Sequence, residues 1–123
     1  MRYKFTAESP IFIQLSKSIE EDILLSIYKE GESIPSTTEL STELHINPAT
    51  VLKAVNILVD EGILEKKRGI GMFVRQGSVE KIRKKKRNSF KDDFLIPILK
   101  EAKRLGLARN ELISMIEEAG EDE

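Results

Sequence analysis

Apolar residues recur every three or four positions in the first part of the chain, and this period predicts an amphipathic helix. We predict the helix over residues 9–31, with Ser9 as its N-cap, Pro10 in its first turn and Gly31 as its stop. Its apolar stripe comprises Phe12, Leu15, Ile19, Leu24, Ile27 and Tyr28. A stripe of this length corresponds to a helix of about five turns.

Two shorter helices are predicted next. Ser36 and Glu39 have the spacing of a capping box, in which each side chain accepts the other residue's backbone N–H. Asn47 followed by Pro48 predicts the start of a third helix, and Gly62 predicts its end. The apolar stripe of the third helix is Val51, Ala54, Val55 and Leu58, which leaves Pro48, Ala49, Leu52, Lys53 and Asn56 on the opposite side.

The pattern then changes to that of a β-hairpin. Residues 63–67 and 72–76 contain the β-branched and aromatic side chains that strands favour, and two glycines lie in the turn between them. Three helices followed by a hairpin are typical of a winged helix-turn-helix. The predicted fold class is therefore mostly α with a small β-hairpin, and the predicted winged-helix domain covers residues 1–77.

Helical periodicity returns in residues 78–123, which form a predicted two-helix segment. Pro97 interrupts the first of these helices, so a kink or break is expected just before it. The second helix is predicted over residues 109–120. Two helices cannot bury both apolar stripes against each other, so we expect a homodimer. The predicted dimer interface is Phe90, Phe94, Ile98, Leu105, Leu112 and Ile116.

Charge is distributed unevenly along the chain. The formal net charge is −1, but residues 79–91 carry 7 Lys and Arg against 1 acidic residue, and residues 92–123 carry 4 against 9. Positive charge is thus concentrated between residues 66 and 91, which suits a protein that presents one face to a polyanion. The alternative for residues 81–87, a solvated helix surface, stays open.

Several function classes lack support in the sequence. There is no cysteine and only one histidine, His45, so neither a metal site nor a catalytic triad is expected. The glycines at 69 and 71 fall short of a nucleotide-binding fingerprint, which needs three glycines followed by a helix. The acidic run at residues 20–22 is expected to be an exposed helix face. We therefore expect no catalytic residues, no cofactor, no membrane span and a cytoplasmic location.

The predicted elements suggest contacts with double-stranded DNA. The major groove admits one α-helix, and a helix-turn-helix inserts the N-terminal end of its second helix. Here that end contains Asn47, Pro48, Ala49 and Thr50, with Lys53 one turn further along. The hydroxyls of Ser36, Thr37 and Thr38 can donate to phosphates. On the wing, Lys66, Lys67 and Arg68 supply positive charge, while Gly69 and Gly71 permit a tight turn close to the DNA backbone.

The stretches "PIFIQLSKSI", "GESIPSTTELSTEL" and "INPATVLKAVNILVDEGILEKKRGIGMFV" resemble, in order, the DNA-binding domain of the GntR family of bacterial transcription regulators. The C-terminal "AKRLGLARNELISMI" is similar to the YtrA subfamily. This resemblance implies a short regulator without a large effector-binding domain. It also implies that the C-terminal helices dimerise and that the protein represses genes, often those of a transporter operon.

Three positions depart from the family pattern. Many family members have arginine where this chain has Thr38 or Pro48, and some have arginine at the position of Leu52. We therefore expect bases to be read by Ala49, Lys53 and Asn56, with Leu52 against a thymine methyl. A winged helix that contacts another protein and has no operator is the alternative. The sequence leaves the operator, any small-molecule effector and the choice between repression and activation open.

Overall fold

The computed structural model describes residues 3–120 and is mostly helical, with one antiparallel hairpin, as predicted. The chain forms two compact units, one extending to Lys84 and the other beginning at Lys85. The predicted functional division, into residues 1–77 and 78–123, stays a prediction. The elements are α1 (Ile11–Leu24), α2 (Thr37–Leu44), α3 (Pro48–Asp60), β1 (Leu64–Lys67), β2 (Gly71–Val74), α4 (Ser78–Phe90), a π-helical segment (Lys91–Leu95), α5 (Ile96–Arg104) and α6 (Arg109–Gly120).

The first unit has one hydrophobic core, to which its helices and both strands contribute. All four residues of the predicted α3 stripe are buried, and so is Leu40 of α2. Complete burial of one such aliphatic side chain stabilises a fold by about 1.5–3 kcal/mol. The remaining buried members are Leu15, Ile19, Ile23, Ile34, Ile46, Ile63, Leu64, Val74 and Ile82.

The first helix is shorter than predicted. Its N-cap is Pro10 rather than Ser9, and it ends at Leu24, seven residues before the predicted stop at Gly31. Ser26 ends it with a φ of 62°, and the N–H of Ile27 donates to the carbonyl of Asp22 at 2.8 Å. This is the Schellman arrangement, in which a left-handed residue follows the helix, although the position is usually glycine. Because the residue is serine, the sequence carried no stop signal there.

Ser26→Gly should stabilise the first unit. A non-glycine residue in the left-handed region is strained, and glycine removes that strain at some cost in unfolded-chain entropy. We expect the free energy of unfolding to rise by about 0.5–1 kcal/mol, measured by thermal or urea unfolding. Ser26→Ala is the control, since it keeps the strained φ. A gain equal to that of glycine would contradict this reason for the end of α1.

The two predicted helix starts after α1 are confirmed. In α2, the hydroxyl of Ser36 accepts the N–H of Glu39 and the carboxylate of Glu39 accepts the N–H of Ser36, both at 3.1 Å. In α3, the side chain of Asn47 accepts the N–H of Ala49 at 2.8 Å. Gly62, with a φ of 77°, ends α3 as predicted.

The hairpin pairs Leu64 with Val74 at its base and Lys67 with Gly71 next to its turn. The other edge of β2 is also paired, because Ser33 forms an isolated antiparallel bridge with Phe73. Backbone hydrogen bonds between residues 31–34 and β2 support this bridge. The wing is therefore tied to the loop between α1 and α2.

The helix after the wing is attached to the first core. Ser78 is fully buried, and its hydroxyl donates to the carbonyl of Ile63 at 2.6 Å. Ile82, one turn later, is also fully buried. Further along, the expected irregularity before Pro97 is confirmed as the π-helical segment Lys91–Leu95, and the proline lies in the first turn of α5.

The second unit has little core of its own. Among the described residues from 85 to 120, only Ala102 is a buried hydrophobic residue. Gly106 ends α5 with a φ of 74°, and the N–H of Leu107 donates to the carbonyl of Ala102 at 2.8 Å. The helices of this unit are therefore well formed locally, but they leave large apolar side chains exposed.

The acidic run in α1 is only partly the exposed face that was expected. Glu20 is 4% exposed, and the Asp22 carboxylate accepts a hydrogen bond from the Tyr3 hydroxyl. Burial and this neighbouring carboxylate raise the pKa of Tyr3 far above its ordinary value. Glu20 is therefore part of the packed interior, and Asp22 helps to hold the segment before α1 against the fold.

Candidate nucleic-acid interface

One face of α3 is free of core contacts and is the one that the sequence predicted. Pro48, Ala49, Lys53 and Asn56 are exposed, and Leu52 is 46% exposed. This face combines ammonium, amide and methyl groups. These groups can contact guanine or phosphate, adenine and thymine methyls, respectively.

The N-terminal end of α3 is closed by hydrogen bonds to Asn47. The carbonyl of Asn47 accepts the N–H groups of Thr50 and Val51, while its side chain accepts that of Ala49. Pro48 has no N–H to leave unpaired. The caps thus hold Ala49 and Thr50 at a defined position at the front of the helix.

Lys53 has a contact that the sequence analysis missed. Its ammonium nitrogen lies 4.7 Å from the centroid of the Phe12 ring in α1. An ammonium above an aromatic face is held by the ring quadrupole, with about 0.5–1 kcal/mol at exposed sites. Phe12 therefore restrains the one lysine of the α3 face. Contacts between two helices have no local sequence signal.

The start of α2 is less free to bind phosphate than the sequence suggested. The N–H of Ser36 is occupied by the Glu39 carboxylate, which also adds a negative charge at this helix end. The Ser36 hydroxyl accepts one hydrogen bond but can still donate its proton. Thr38 is exposed and Thr37 is half-buried. The backbone N–H groups of Ser36 and Glu39 are therefore taken up by the capping box and are not available to a phosphate.

The wing turn has the geometry that its glycines predicted. Gly69 and Gly71 have φ values of 76° and 145°, which other residues rarely adopt. The N–H of Ile70 donates to the carbonyl of Lys67 at 2.9 Å and closes the turn. Ile70, which the sequence analysis passed over, is 74% exposed at the tip. A large apolar side chain is thus displayed beside the three cations of the wing.

The two wing lysines differ in their surroundings. Successive strand residues point to opposite faces, so Lys66 and Lys67 lie on different sides of the hairpin. The Lys67 ammonium lies 4.4 Å from the centroid of the Phe73 ring, on the face that also carries Glu65. Glu65 in turn forms an exposed ion pair with Arg75 at 3.9 Å. Phe73 therefore orients Lys67 as Phe12 orients Lys53.

All predicted DNA-contacting residues belong to the first unit, and all predicted dimer residues belong to the second. Phe90 and Phe94 form an exposed aromatic pair with ring centroids 5.5 Å apart. Leu112 is only half-buried, in a cleft between α5 and α6. The other large exposed apolar side chains of this unit are Leu95, Ile98, Leu105, Ile113, Met115 and Ile116.

The described part of the chain offers little support for a metal site or a membrane span. Residues 3–120 contain no group of three or more His, Cys, Asp or Glu side chains placed to hold a metal ion. His45 lies at the end of α2 with a φ of 55°. Within the same residues, no helix is long and apolar enough to cross a membrane.

Comparison with known proteins identifies the family. Residues 14–74 match the family model of bacterial regulatory proteins of the gntR family. The chain is 31% identical over 116 residues to the HTH-type transcriptional repressor YtrA of Bacillus subtilis, which covers 94% of this chain and 88% of that protein. The match to YtrA includes the C-terminal helices as well as the winged helix.

Two further matches define the shared region. The uncharacterised HTH-type transcriptional regulator YurK of Bacillus subtilis is 33% identical over 75 residues, and the chain spans only 31% of YurK's length. The structure of a GntR family transcriptional regulator from Listeria monocytogenes superposes with a TM-score of 0.75 at 24% identity, covering 93% of this chain and 98% of that one. The chain is therefore a DNA-binding transcriptional regulator of the GntR family and belongs to its YtrA subfamily.

Proposed function

We propose that the chain is a homodimeric repressor that binds a two-part operator, in an operon linked to transport. The observation that carries this proposal is the exposed polar face of α3, presented by a capped helix start beside a cationic wing. Its role is binding rather than catalysis. Because the partner is chromosomal DNA, we expect the protein in the cytoplasm. Repression is proposed because the similar YtrA protein is named a repressor.

In this proposal α3 reads bases in the major groove. Lys53 and Asn56 are the polar candidates, with Ala49 and Leu52 against methyl groups. The N-terminal end of α3 carries the positive end of the helix dipole, so the peptide units around Thr50 favour a nearby phosphate. Because Thr38, Pro48 and Leu52 replace family arginines, the operator should differ from those of arginine-containing relatives.

The wing and α2 position the protein on the sugar-phosphate backbone. Lys66, Lys67 and Arg68 are exposed around a turn whose glycines let the main chain approach closely. The hydroxyls of Ser36, Thr37 and Thr38 add hydrogen bonds to phosphate. These contacts supply affinity without reading sequence, since every base step presents the same phosphates.

The homodimer is proposed from the exposed apolar surface of the second unit. Phe90 and Phe94 are 56% and 59% exposed, and Ile98 and Leu105 are 48% and 59% exposed. A group of large exposed apolar side chains such as this marks an interaction site in soluble proteins. A second copy of the chain would bury it and would place two α3 helices on two half-sites.

A gel-shift experiment tests the regulatory proposal. The purified chain, shown to be folded, is titrated against the DNA upstream of its own gene and against a shuffled duplex of equal length. The expected result is a discrete complex with the upstream DNA at concentrations that leave the shuffled duplex free. Equal binding to both duplexes would overturn the operator and leave only non-specific DNA binding.

A further inference from the structure

The start of α4 is capped by a residue from a distant part of the chain. Gly77 precedes the helix and has no side chain with which to cap it. Instead, the Glu30 carboxylate accepts the N–H of Gly77 at 3.0 Å and that of Val79 at 2.9 Å. These two hydrogen bonds lower the pKa of the Glu30 carboxyl. A carboxylate at this end also interacts favourably with the helix dipole.

Glu30 connects two elements that function differently. Its neighbour Gly31 donates its N–H to the carbonyl of Val74 at 2.8 Å, so this loop is paired with β2 of the wing. The side-chain carboxylate of Glu30 holds the first turn of α4, and this helix leads out of the winged-helix unit. The carboxylate thus joins the base of the wing to the exit helix.

The direction of α4 at its first turn determines the position of its C-terminal end. A helix of 13 residues is about 20 Å long. A tilt of about 10° at its start would move its far end by about 3.4 Å, which is the rise of one base pair. Ser78 and Ile82 attach one side of the helix to the core. The Glu30 hydrogen bonds add a second attachment, at the N-terminal end.

We propose that Glu30 is a positioning residue that fixes the exit direction of α4, and thereby the half-site spacing that the dimer accepts. This role rests on the homodimer and operator proposed above. Half-site spacing in two-fold regulators follows from the geometry that connects the two reading heads. The two hydrogen bonds of the Glu30 carboxylate would set that geometry without contacting DNA.

The experiment compares single half-sites with spaced pairs. The wild-type chain first selects its operator from random duplexes. Fluorescence anisotropy then measures binding to one half-site, to the selected pair, and to pairs with one or two base pairs added or removed. For the wild type, a change of two base pairs should weaken binding about tenfold or more, because it rotates one half-site by about 70°.

Glu30→Ala should separate reading from spacing. We expect its affinity for the single half-site to stay within about twofold of the wild type, while its penalty for altered spacing falls to about threefold or less. Glu32→Ala is the matched control, because its carboxylate accepts only a local hydrogen bond, from the N–H of Lys29. If Glu30→Ala does not fold, Glu30→Gln retains one acceptor oxygen and should show an intermediate spacing penalty.

Two outcomes would overturn the role of Glu30. One is a wild-type spacing profile in the Glu30 variants; the other is an equal loss of affinity on single and paired half-sites. Either would leave the operator proposal intact. Failure of the wild-type chain to select any duplex would instead overturn the proposed function, and this role with it.

Discussion

The affinity of the proposed dimer for its operator should fall by about 10³–10⁵ when the salt concentration rises from about 50 to 200 mM. This range applies to a protein that neutralises about 6–10 phosphates, because each neutralised phosphate releases condensed counterions. Lys66, Lys67 and Arg68 of two protomers would supply six of these contacts. The measurement is a series of binding isotherms at fixed pH, plotted as the logarithm of affinity against the logarithm of salt concentration.

Substitution of a wing cation tests the source of that slope. Lys67→Ala removes one phosphate contact from each protomer. The plot of log affinity against log salt should therefore become shallower, its slope falling in magnitude by about 1.8 for the dimer. Lys100→Ala in α5 is the control, an exposed lysine outside the first unit, and should leave the slope unchanged. Equal slopes for wild type and Lys67→Ala would show that this lysine does not contact phosphate.

Phe94→Glu combined with Ile98→Glu should convert the dimer into a monomer. Both side chains are about half exposed in the single chain, so the charges should not disturb the fold of the protomer. In a dimer interface the same charges would be buried without partners, which is strongly unfavourable. Sedimentation velocity measures the oligomeric state. Loss of the second reading head should weaken binding to a two-part operator by about 10²–10⁴.

Ile27→Glu is the matched control for the dimer experiment. Ile27 is 59% exposed, like Phe94, but it lies in the first unit. We expect this variant to remain dimeric and to bind the operator. A Phe94 and Ile98 double variant that still sediments as a dimer would contradict the proposed interface, even if DNA binding is retained.

Much of the fold was predictable because the governing interactions are local. The capping box of α2 and the Asn47–Pro48 start of α3 each involve residues within four positions of each other, and both are confirmed. The exposed face of α3 followed from helical periodicity alone. The hairpin followed from the β-branched and aromatic residues of its strands and from the two glycines between them, whose positive φ values the structure contains.

The parts that were missed depend on an unusual backbone conformation or on contacts between distant residues. The end of α1 was misplaced because Ser26 takes a conformation that sequence rules assign to glycine. The contact between Phe12 and Lys53 joins two helices, and the cap from Glu30 crosses 47 positions to reach Gly77. Such pairings appear only once the tertiary fold brings the residues together.

The most direct test of the account compares the sequence preferences of two lysine variants. Lys53→Ala and Lys67→Ala are each used to select binding sites from the same pool of random duplexes as the wild type. We expect Lys53→Ala to lose preference at particular positions, with about 1–3 kcal/mol less discrimination there, and Lys67→Ala to bind all sequences more weakly with its preferences unchanged. Identical preference profiles for the two variants would contradict the claim that α3 reads bases while the wing contacts the backbone.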